Sequence, residues 1–303
     1  MTNTRPAERI KHLKEKRGAV ILAHNYQPPE IQDIADHLGD SLDLSRLAAR
    51  LPNEIIVFCG VHFMAETASI LSPAKKVLLP DPEAGCPMAD MIGADDLLAL
   101  KEKHPDSAVV MYVNSTAAVK AHTDVCCTSA NAVKVVESIP AGRRIIFGPD
   151  RNLGGWVASK TGRDLVIWDG YCPPHQNIIP EEIRALKEKH PGAKVMVHPE
   201  VIPAARAEAD AILGTGGMIR YAGESGAGTF IVGTEAGMCY RLETLFPDKL
   251  FVPASKHAIC RNMKKITLAK IASSLESEGP AVEVPAEIAD RARGAIQRMI
   301  ETG

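Results

Sequence analysis

The chain repeats one tetrapeptide three times, as Leu13-Lys-Glu-Lys16, Leu100-Lys-Glu-Lys103 and Leu186-Lys-Glu-Lys189. The copies start 87 and 86 residues apart, and each is followed by a short apolar run, at residues 19–23, 108–113 and 193–197. A fixed period indicates one structural unit present in several copies. The sequence therefore predicts three similar units, the third with a helical tail, at residues 1–89, 90–176 and 177–303. An amphipathic pattern over 286–300 predicts that the tail is a helix packed on a domain or in a subunit contact.

Helical and strand patterns alternate within each unit. In the first unit, helices are predicted at residues 9–16, 30–38, 42–51 and 64–71. Strands are predicted at residues 19–23, 54–59, 76–79, 108–113, 125–127, 144–147, 165–168, 194–197, 211–213, 229–232 and 249–252. Such alternation gives parallel sheets covered by helices on both faces. The predicted fold class is α/β, with three pseudo-symmetric three-layer α/β/α domains around a central active site.

The composition argues against several classes of function. The formal net charge is −2 and charges of both signs are mixed along the chain, so no nucleic-acid partner is expected. No apolar run reaches the roughly 18 residues of a membrane span, and residues 1–6 lack the apolar segment of a secretory signal. These features favour a cytoplasmic protein, in which ordered cysteines more often bind metal or act in catalysis than form disulfides.

Three cysteines follow the same period. Cys86, Cys172 and Cys260 are 86 and 88 residues apart, and each follows the last predicted strand of its unit. The first two directly precede proline, a pairing typical of iron–sulfur ligation. Three thiolates would leave one iron with an open position, where it can act as a Lewis acid. The alternatives are a zinc site that His175 completes, or three small buried side chains.

The remaining cysteines do not follow this period. Cys59 ends a predicted strand, Cys239 lies in a helical pattern, and Cys126 and Cys127 are adjacent. A disulfide between neighbouring residues is strained. These four residues are therefore predicted to be structural.

Polar side chains follow equivalent strands of the three units. If the units face one axis, six of these residues converge, namely His24, Tyr26, Tyr112, Asn114, His198 and Glu200. Parallel sheets bind ligands beyond the carboxyl ends of their strands, which is where these residues lie. Glu200 and His198 are then candidate proton-transfer groups, and Tyr26 is a candidate acid or hydroxyl donor.

A second repeated set precedes predicted helices. It consists of Asp40-Ser41, Thr128-Ser129 and Thr215-Gly216. Hydroxyl side chains at these places can act as helix N-caps. Three helix N-termini directed at one centre would also suit a substrate with carboxylate or phosphate groups.

Several separated motifs, in order, resemble those of the quinolinate synthase family. They are Ile21-Leu-Ala-His-Asn-Tyr-Gln27, Tyr112-Val-Asn-Ser-Thr116, Thr128-Ser-Ala-Asn-Ala132, His198-Pro-Glu200 and Cys260-Arg-Asn-Met-Lys264. The resemblance runs from about residue 10 to residue 271. It implies three α/β domains around a [4Fe–4S] cluster with three cysteine ligands, here Cys86, Cys172 and Cys260, and one open iron.

The resemblance also implies an activity. Family members condense iminoaspartate (iminosuccinate) with dihydroxyacetone phosphate to form quinolinate, releasing phosphate and two waters, for NAD (pyridine nucleotide) biosynthesis. This transferase- or lyase-type chemistry implies small-molecule substrates and a functional link to the enzyme that supplies iminoaspartate. Matching positions imply that the substrates are held by His24, Ser41, Tyr112, Asn114, Ser129, His175, His198, Glu200 and Thr215. They also imply acid–base roles for Tyr26 and Glu200, together with His198, and many relatives have serine at the position of Gly214.

Two other functions compete with this interpretation. One is a zinc-dependent lyase or aldolase that uses the same pocket. The other is a three-domain binding or sensor protein with a structural cluster, which predicts a fourth protein ligand and no turnover.

Overall fold

The computed structural model of this protein describes residues 6–302. Residues 1–5, on which most of the expectation about a secretory signal rests, lie outside the described residues. Between residues 6 and 302, no helix is both long enough and apolar enough to cross a membrane.

Three parallel four-stranded sheets form the framework. The first contains β1 (Ala19–His24), β2 (His37–Gly39), β3 (Ile55–Cys59) and β4 (Lys76–Leu78). The second contains β5 (Ala108–Tyr112), β6 (Val125–Cys127), β7 (Ile145–Gly148) and β8 (Leu165–Ile167). The third contains β9 (Lys194–Val197), β10 (Ala211–Ile212), β11 (Thr229–Gly233) and β12 (Leu250–Pro253). In each sheet the second strand in sequence lies at one edge and the order is second, first, third, fourth, which confirms the predicted α/β fold built from three similar units.

Helices flank these sheets. Those around the first sheet are α1 (Pro6–Arg17), α2 (Pro29–Gln32), α3 (Ser41–Arg50) and α4 (His62–Leu71). Those around the second are α5 (Ala94–Lys103), α6 (Ala117–Lys120), α7 (Ala132–Glu137) and α8 (Arg151–Thr161). The third sheet is accompanied by α9 (Pro173–Gln176), α10 (Pro180–Lys189), α11 (Pro203–Arg206), α12 (Thr215–Glu224) and α13 (Gly237–Leu245). The chain then continues into α14 (Leu268–Ser277) and α15 (Ala286–Thr302).

The predicted helix over residues 30–38 is wrong. The segment forms only the single turn of α2, and residues 37–39 form strand β2, which pairs in parallel with β1. In the observed turn and strand, the apolar positions of the pattern are buried or half-buried, because Ile31 is buried and Leu38 packs against the same core. The predicted helix would place the same residues on its inner face. Hydrophobic spacing in so short a segment therefore could not separate a helix from a turn followed by a strand.

An aspartate repeated in all three units explains where that strand begins. Asp36, Asp124 and Asp210 each accept a hydrogen bond, 2.8 Å long, from a backbone N–H of the central strand fifteen residues earlier. The backbone N–H of each aspartate also donates to the carbonyl of that same residue, at 2.8–3.1 Å. The aspartate thus fixes the start of the edge strand beside the central strand. The even spacing of these residues was present in the sequence but was not used for the prediction.

The tail follows the third unit in sequence but packs on the first two. Helix α14 contacts α1 and β3, and helix α15 contacts β6, α6 and α4. The buried face of α15 belongs to one hydrophobic core that spans the first and second units. The predicted amphipathic tail helix is present and extends to Thr302. The residue boundaries predicted for the three units stay a prediction.

Shortening a side chain in the buried face of α15 should destabilise the fold. Ile296 is fully buried, so Ile296→Ala removes apolar contacts and leaves a cavity, at an expected cost of about 2–5 kcal/mol. Chemical denaturation of both proteins measures this loss. The exposed neighbour Gln297 is the control, because Gln297→Ala should change the free energy of unfolding by less than about 0.5 kcal/mol. Equal stabilities for Ile296→Ala and the parent chain would contradict the packing of this helix.

Candidate active site

The carboxyl ends of the central strands surround one cavity. The space between the lining residues is about 700 Å³, and this volume includes the mouth that opens to solvent. Every site residue predicted from the sequence lines it, namely His24, Tyr26, Ser41, Cys86, Tyr112, Asn114, Ser129, Cys172, His175, His198, Glu200, Thr215 and Cys260. In each sheet the second strand lies on one side of the first strand and the third strand lies on the other side, so the strand order reverses between the first and third strands. Open parallel sheets bind ligands at such a point, and the cavity lies there.

The three cysteines occupy similar local structures. Each precedes a short helical turn, and its sulfur accepts a hydrogen bond from the backbone N–H three residues later, in Ala89, His175 and Met263 respectively. N–H groups directed at a sulfur stabilise its thiolate form. Each unit therefore has the same type of turn around its cysteine sulfur.

The donor set fits an iron–sulfur cluster. Cys86, Cys172 and Cys260 are all free, half-buried and directed into the same cavity. Besides burial, the charge of Cys260 raises the pKa of Cys86, and the charges of Cys86 and Cys260 raise that of Cys172, as expected for sulfurs that line one cavity. Burial raises the pKa of Cys86 to about 12, so without metal its thiol is protonated, and metal binding would release the proton. The apolar side chains of Val61, Phe63, Met64, Met88 and Met263 line the same cavity.

The four other cysteines differ from this set. Cys59, Cys126, Cys127 and Cys239 are buried, and none lines the cavity. Burial raises the pKa of Cys59 beyond the usual range for a thiol. These observations agree with the structural role that the sequence predicts for them.

A chain of four hydrogen-bonded side chains crosses the cavity wall. The Tyr26 hydroxyl lies 2.6 Å from Thr234 Oγ1, which lies 2.9 Å from His175 Nε2. His175 Nδ1 in turn lies 2.8 Å from Glu200 Oε2 and 3.0 Å from Cys172 Sγ. Both neighbours of Nδ1 are acceptors, so we assign a proton to Nδ1 and an acceptor role, towards Thr234, to Nε2. The Thr234 oxygen is then left to accept from Tyr26.

Thr234 was missed by the sequence analysis. It is a buried residue directly after β11, in Gly233-Thr234-Glu235. The corresponding position after β7 is Pro149, so the threefold repeat gave no signal for a hydroxyl group there. Its role could be recognised only once the tyrosine of the first unit and the histidine of the second were seen on either side of it.

The charges in the cavity are unevenly distributed. Burial lowers the pKa of both His24 and His198 to about 3, so both rings are neutral at physiological pH. Burial alone would raise the pKa of Glu200, but hydrogen bonds that His175 and Tyr112 donate to the carboxylate help to keep that pKa below its usual range. Burial, and next the Glu200 charge, raise the pKa of Tyr26 and of Tyr112, so both phenols stay protonated. Two protonated phenols, Tyr26 and Tyr112, thus line the cavity together with the Glu200 carboxylate.

Two buried oxygen atoms of the cavity have no hydrogen-bond partner in the protein. They are Glu200 Oε1 and Asn114 Oδ1. An unpaired buried acceptor is unfavourable unless a ligand or water pairs with it. Both atoms therefore face the space that a substrate would fill.

Two helix N-termini supply a second polar wall. The cap of α3 is Asp40, which accepts from the N–H groups of Leu42 and Asp43 at 2.9 and 3.0 Å. The alternative that the Ser41 hydroxyl is the cap is therefore wrong, and Ser41 is the first helical residue instead. Thr215 likewise begins α12, and Ser129 precedes α7. All three hydroxyls border the cavity, where they can donate to an anionic group.

Gly214 lies against one of these hydroxyls. A Cβ atom at this position would be 2.8 Å from Ser129 Oγ, closer than ordinary contact. Glycine at residue 214 thus leaves room for the Ser129 side chain, and a serine there would move it.

Comparison with known proteins identifies relatives of the whole chain. The family description "Quinolinate synthetase A protein" matches residues 8–301. The quinolinate synthase of Dehalococcoides mccartyi (strain CBDB1) is 55% identical over 294 residues, covering 97% of each chain. That of Desulforudis audaxviator (strain MP104C) is 51% identical over 291 residues, covering 96% of each chain. Quinolinate synthase 2 of Methanosarcina acetivorans is 51% identical over 294 residues, covering 97% of this chain and 94% of the relative.

Proposed function

Because the chain belongs to the quinolinate synthetase A family, we propose that it is a quinolinate synthase that uses the cavity described above. Its substrates would be iminoaspartate and dihydroxyacetone phosphate, and its products quinolinate, phosphate and two waters. Such an activity serves NAD biosynthesis. The observation that carries the proposal is the convergence of Cys86, Cys172 and Cys260 with Glu200 and Tyr26 in one cavity.

Cys86, Cys172 and Cys260 would hold a [4Fe–4S] cluster with one iron left open. When bound, that iron would supply a Lewis acid that assists loss of a hydroxyl group from the substrate. The half-buried sulfurs and the apolar wall support this assignment.

Glu200 is the proposed base. Its Oε1 atom is buried and unpaired, and its pKa lies below the usual range, so the carboxylate is ready to accept a proton from substrate carbon. Tyr26 is the proposed acid, since burial keeps its phenol protonated until a substrate oxygen needs the proton. His198, stacked on His175 at a ring distance of 4.8 Å, and His24 would orient the substrate as neutral rings.

The four-residue chain joins the proposed acid to the proposed base. With its proton on Nδ1, His175 donates to the Glu200 carboxylate, while Thr234 donates to Nε2 and accepts from Tyr26. The chain would thus hold the carboxylate and the phenol in a fixed orientation, so that Glu200 takes a proton from substrate carbon and Tyr26 gives one to substrate oxygen. The short distances, 2.6, 2.9 and 2.8 Å, support this positioning role.

The substrate acids would bind on the opposite wall. Ser41, Ser129 and Thr215 would donate their hydroxyl protons to carboxylate or phosphate oxygens near the N-termini of α3 and α12. Asn114, whose Oδ1 atom is unpaired, and Tyr112 would hold the partner substrate. This arrangement needs no lysine or arginine among the residues predicted to bind substrate.

A zinc-dependent lyase is the second candidate, since one specific observation favours it. Cys172, His175 and Glu200 each offer a ligand atom, and these atoms all lie within 4.8 Å of one another. That site would use one cysteine of the three and would occupy the proposed base. Metal analysis separates the candidates, because zinc at one atom per chain would support the lyase and about four irons with equal sulfide would support the synthase.

The proposed activity is tested by an anaerobic assay. Purified protein is incubated with dihydroxyacetone phosphate and freshly generated iminoaspartate, and quinolinate is quantified while iron and sulfide are measured on the same sample. We expect quinolinate to form in proportion to cluster content. Protein with a full cluster and both substrates but no product would contradict the proposed function.

Replacing Thr234 by valine should slow the reaction without unfolding the protein. Valine keeps the shape but removes the hydroxyl that links Tyr26 to His175, so turnover should fall roughly 10²-fold with the cluster retained. Thr234→Ser is the matched control, because it restores the hydroxyl and should restore most of the activity. Full turnover by Thr234→Val would exclude this positioning role of the Thr234 hydroxyl.

A further inference from the structure

A buried carboxylate holds the main chain of one proposed cluster ligand. Glu235 lies two residues after the end of β11 and is 1% exposed. Its Oε1 atom accepts a hydrogen bond from the Cys260 N–H at 3.1 Å, and its Oε2 atom accepts from the Gly237 N–H at 2.7 Å. The carboxylate thus ties the cysteine loop of the third unit to the end of the sheet in the same unit.

A lysine extends this contact to the first unit. Lys264 Nζ lies 3.0 Å from Glu235 Oε1 and also donates a hydrogen bond to the backbone carbonyl of Tyr26. The Lys264 side chain is 27% exposed, so the pair is largely shielded from solvent. One ion pair therefore connects the main chain of Cys260 with the main chain of Tyr26. We refer to Glu235 and Lys264 as the brace.

The neighbouring glycine shows that the brace is tightly packed. A Cβ atom on Gly237 would lie 2.7 Å from Lys264 Nζ and 2.8 Å from Glu235 Oε2. It would also lie 3.0 Å from the Tyr26 carbonyl oxygen. Only a residue without a side chain leaves space for all three groups at this point.

The second unit has only the carboxylate part of this arrangement, and the first unit has neither part. Asp150, two residues after β7, accepts a hydrogen bond from the Cys172 N–H at 3.2 Å. The equivalent residue two positions after β3 is Val61, which has no polar side chain. Acidic residues therefore hold two of the three cysteine loops, and only in the third unit is the carboxylate paired with a lysine that reaches Tyr26.

We propose that Glu235 and Lys264 are positioning residues that fix Cys260 relative to Tyr26, and that their opposite charges help to set the reduction potential of the bound cluster. The proposal rests on the proposed function, since it requires a cluster at Cys260. In a water-poor site the charge of a nearby group acts strongly on a cluster. Loss of the negative group favours the reduced cluster, and loss of the positive group favours the oxidised cluster.

The test is a redox titration of anaerobic holoenzyme. Glu235→Gln leaves the lysine charge unbalanced, so the potential should rise, and Lys264→Met leaves the carboxylate unbalanced, so it should fall. We expect each reduction equilibrium constant to change about tenfold, or about 59 mV for a one-electron couple. Because a purely structural defect has no reason to produce shifts of opposite sign, the two variants together test the charges themselves. If Glu235→Gln loses its cluster before its potential can be measured, a lower potential in Lys264→Met supports the proposal and an unchanged or higher potential overturns it.

Asp210→Asn is the matched control. Asp210 also accepts a backbone N–H, at 2.8 Å, and also pairs with a lysine, Lys194, at 2.9 Å. It lies at the start of its strand, at the sheet edge away from the cavity, so its variant should keep the parent potential. Unchanged potentials in both brace variants, or shifts of the same sign, would overturn the proposal. If the parent protein still formed quinolinate, the proposed function would be unaffected by that result. Parent protein that binds no cluster would overturn both.

Discussion

Replacing Cys86, Cys172 or Cys260 by alanine is expected to abolish quinolinate formation, with a loss of at least about 10³-fold. Each variant removes one of three protein ligands from the cluster and leaves its neighbouring thiols without a metal to bind. Iron and sulfide content should fall together with activity in all three variants. Anaerobic purification, metal analysis and the quinolinate assay on one sample measure the effect.

The other cysteines are the controls for this experiment. Cys59, Cys126 and Cys239 are buried away from the cavity, so their alanine variants should keep the parent cluster content. Any loss of activity in these controls should follow the loss of stability and not the loss of iron. If Cys86→Ala retained a full cluster and normal turnover, the three-cysteine site would be refuted.

The second large effect is expected for Glu200→Gln. Glutamine can still accept the hydrogen bond from His175 Nδ1, but it cannot take a proton from substrate carbon, so turnover should fall about 10²–10⁴-fold. The cluster should remain, because Glu200 is not one of its proposed ligands. Steady-state quinolinate formation measures turnover, and the visible absorption of the cluster measures its retention.

A surface glutamate of the same unit serves as the comparison. Glu208 pairs with Arg184 at 2.7 Å, outside the cavity, and Glu208→Gln should leave turnover unchanged. A Glu200→Gln enzyme with its cluster intact and with full turnover would refute the assignment of Glu200 as the base. Loss of the cluster in that variant would instead support a metal site that includes Glu200.

The threefold period predicted much of the site. Because Cys86, Cys172 and Cys260 recur at the same place in each unit, their convergence followed from the repeat alone. The same reasoning placed His24, Tyr112 and His198 at the carboxyl end of the first strand of each unit, and the structure brings all of them to one cavity. A sequence repeat thus predicts the position of those residues that all of its copies have in common.

The period could not predict features that the three units do not all share. Thr234 corresponds to Pro149 in the second unit, and Glu235 corresponds to Val61 in the first, so neither residue stood out in the sequence. Both act on groups of other units, Thr234 on Tyr26 and His175, and Glu235 through Lys264 on Tyr26. Contacts of this kind depend on how the units pack, which the local pattern of residues does not contain.

Local patterns also failed where a segment was short. The spacing of Ile31, Ile34 and Leu38 fits a helix, yet the chain turns and then pairs with β1, because Asp36 binds the backbone of Ile21. The equivalent strands β6 and β10 were predicted in the other two units. Aligning the three units would have revealed the strand in the first.

We propose that three cysteines, one from each unit, hold one cluster whose fourth iron faces Glu200 and Tyr26. The most direct test is a crystal structure of the anaerobic holoenzyme with anomalous scattering measured at the iron and zinc edges. We expect four iron atoms, three of them bonded to Cys86, Cys172 and Cys260, and the fourth without a protein ligand and directed into the cavity. A single zinc at Cys172, His175 and Glu200, or a fourth protein ligand on the cluster, would contradict it.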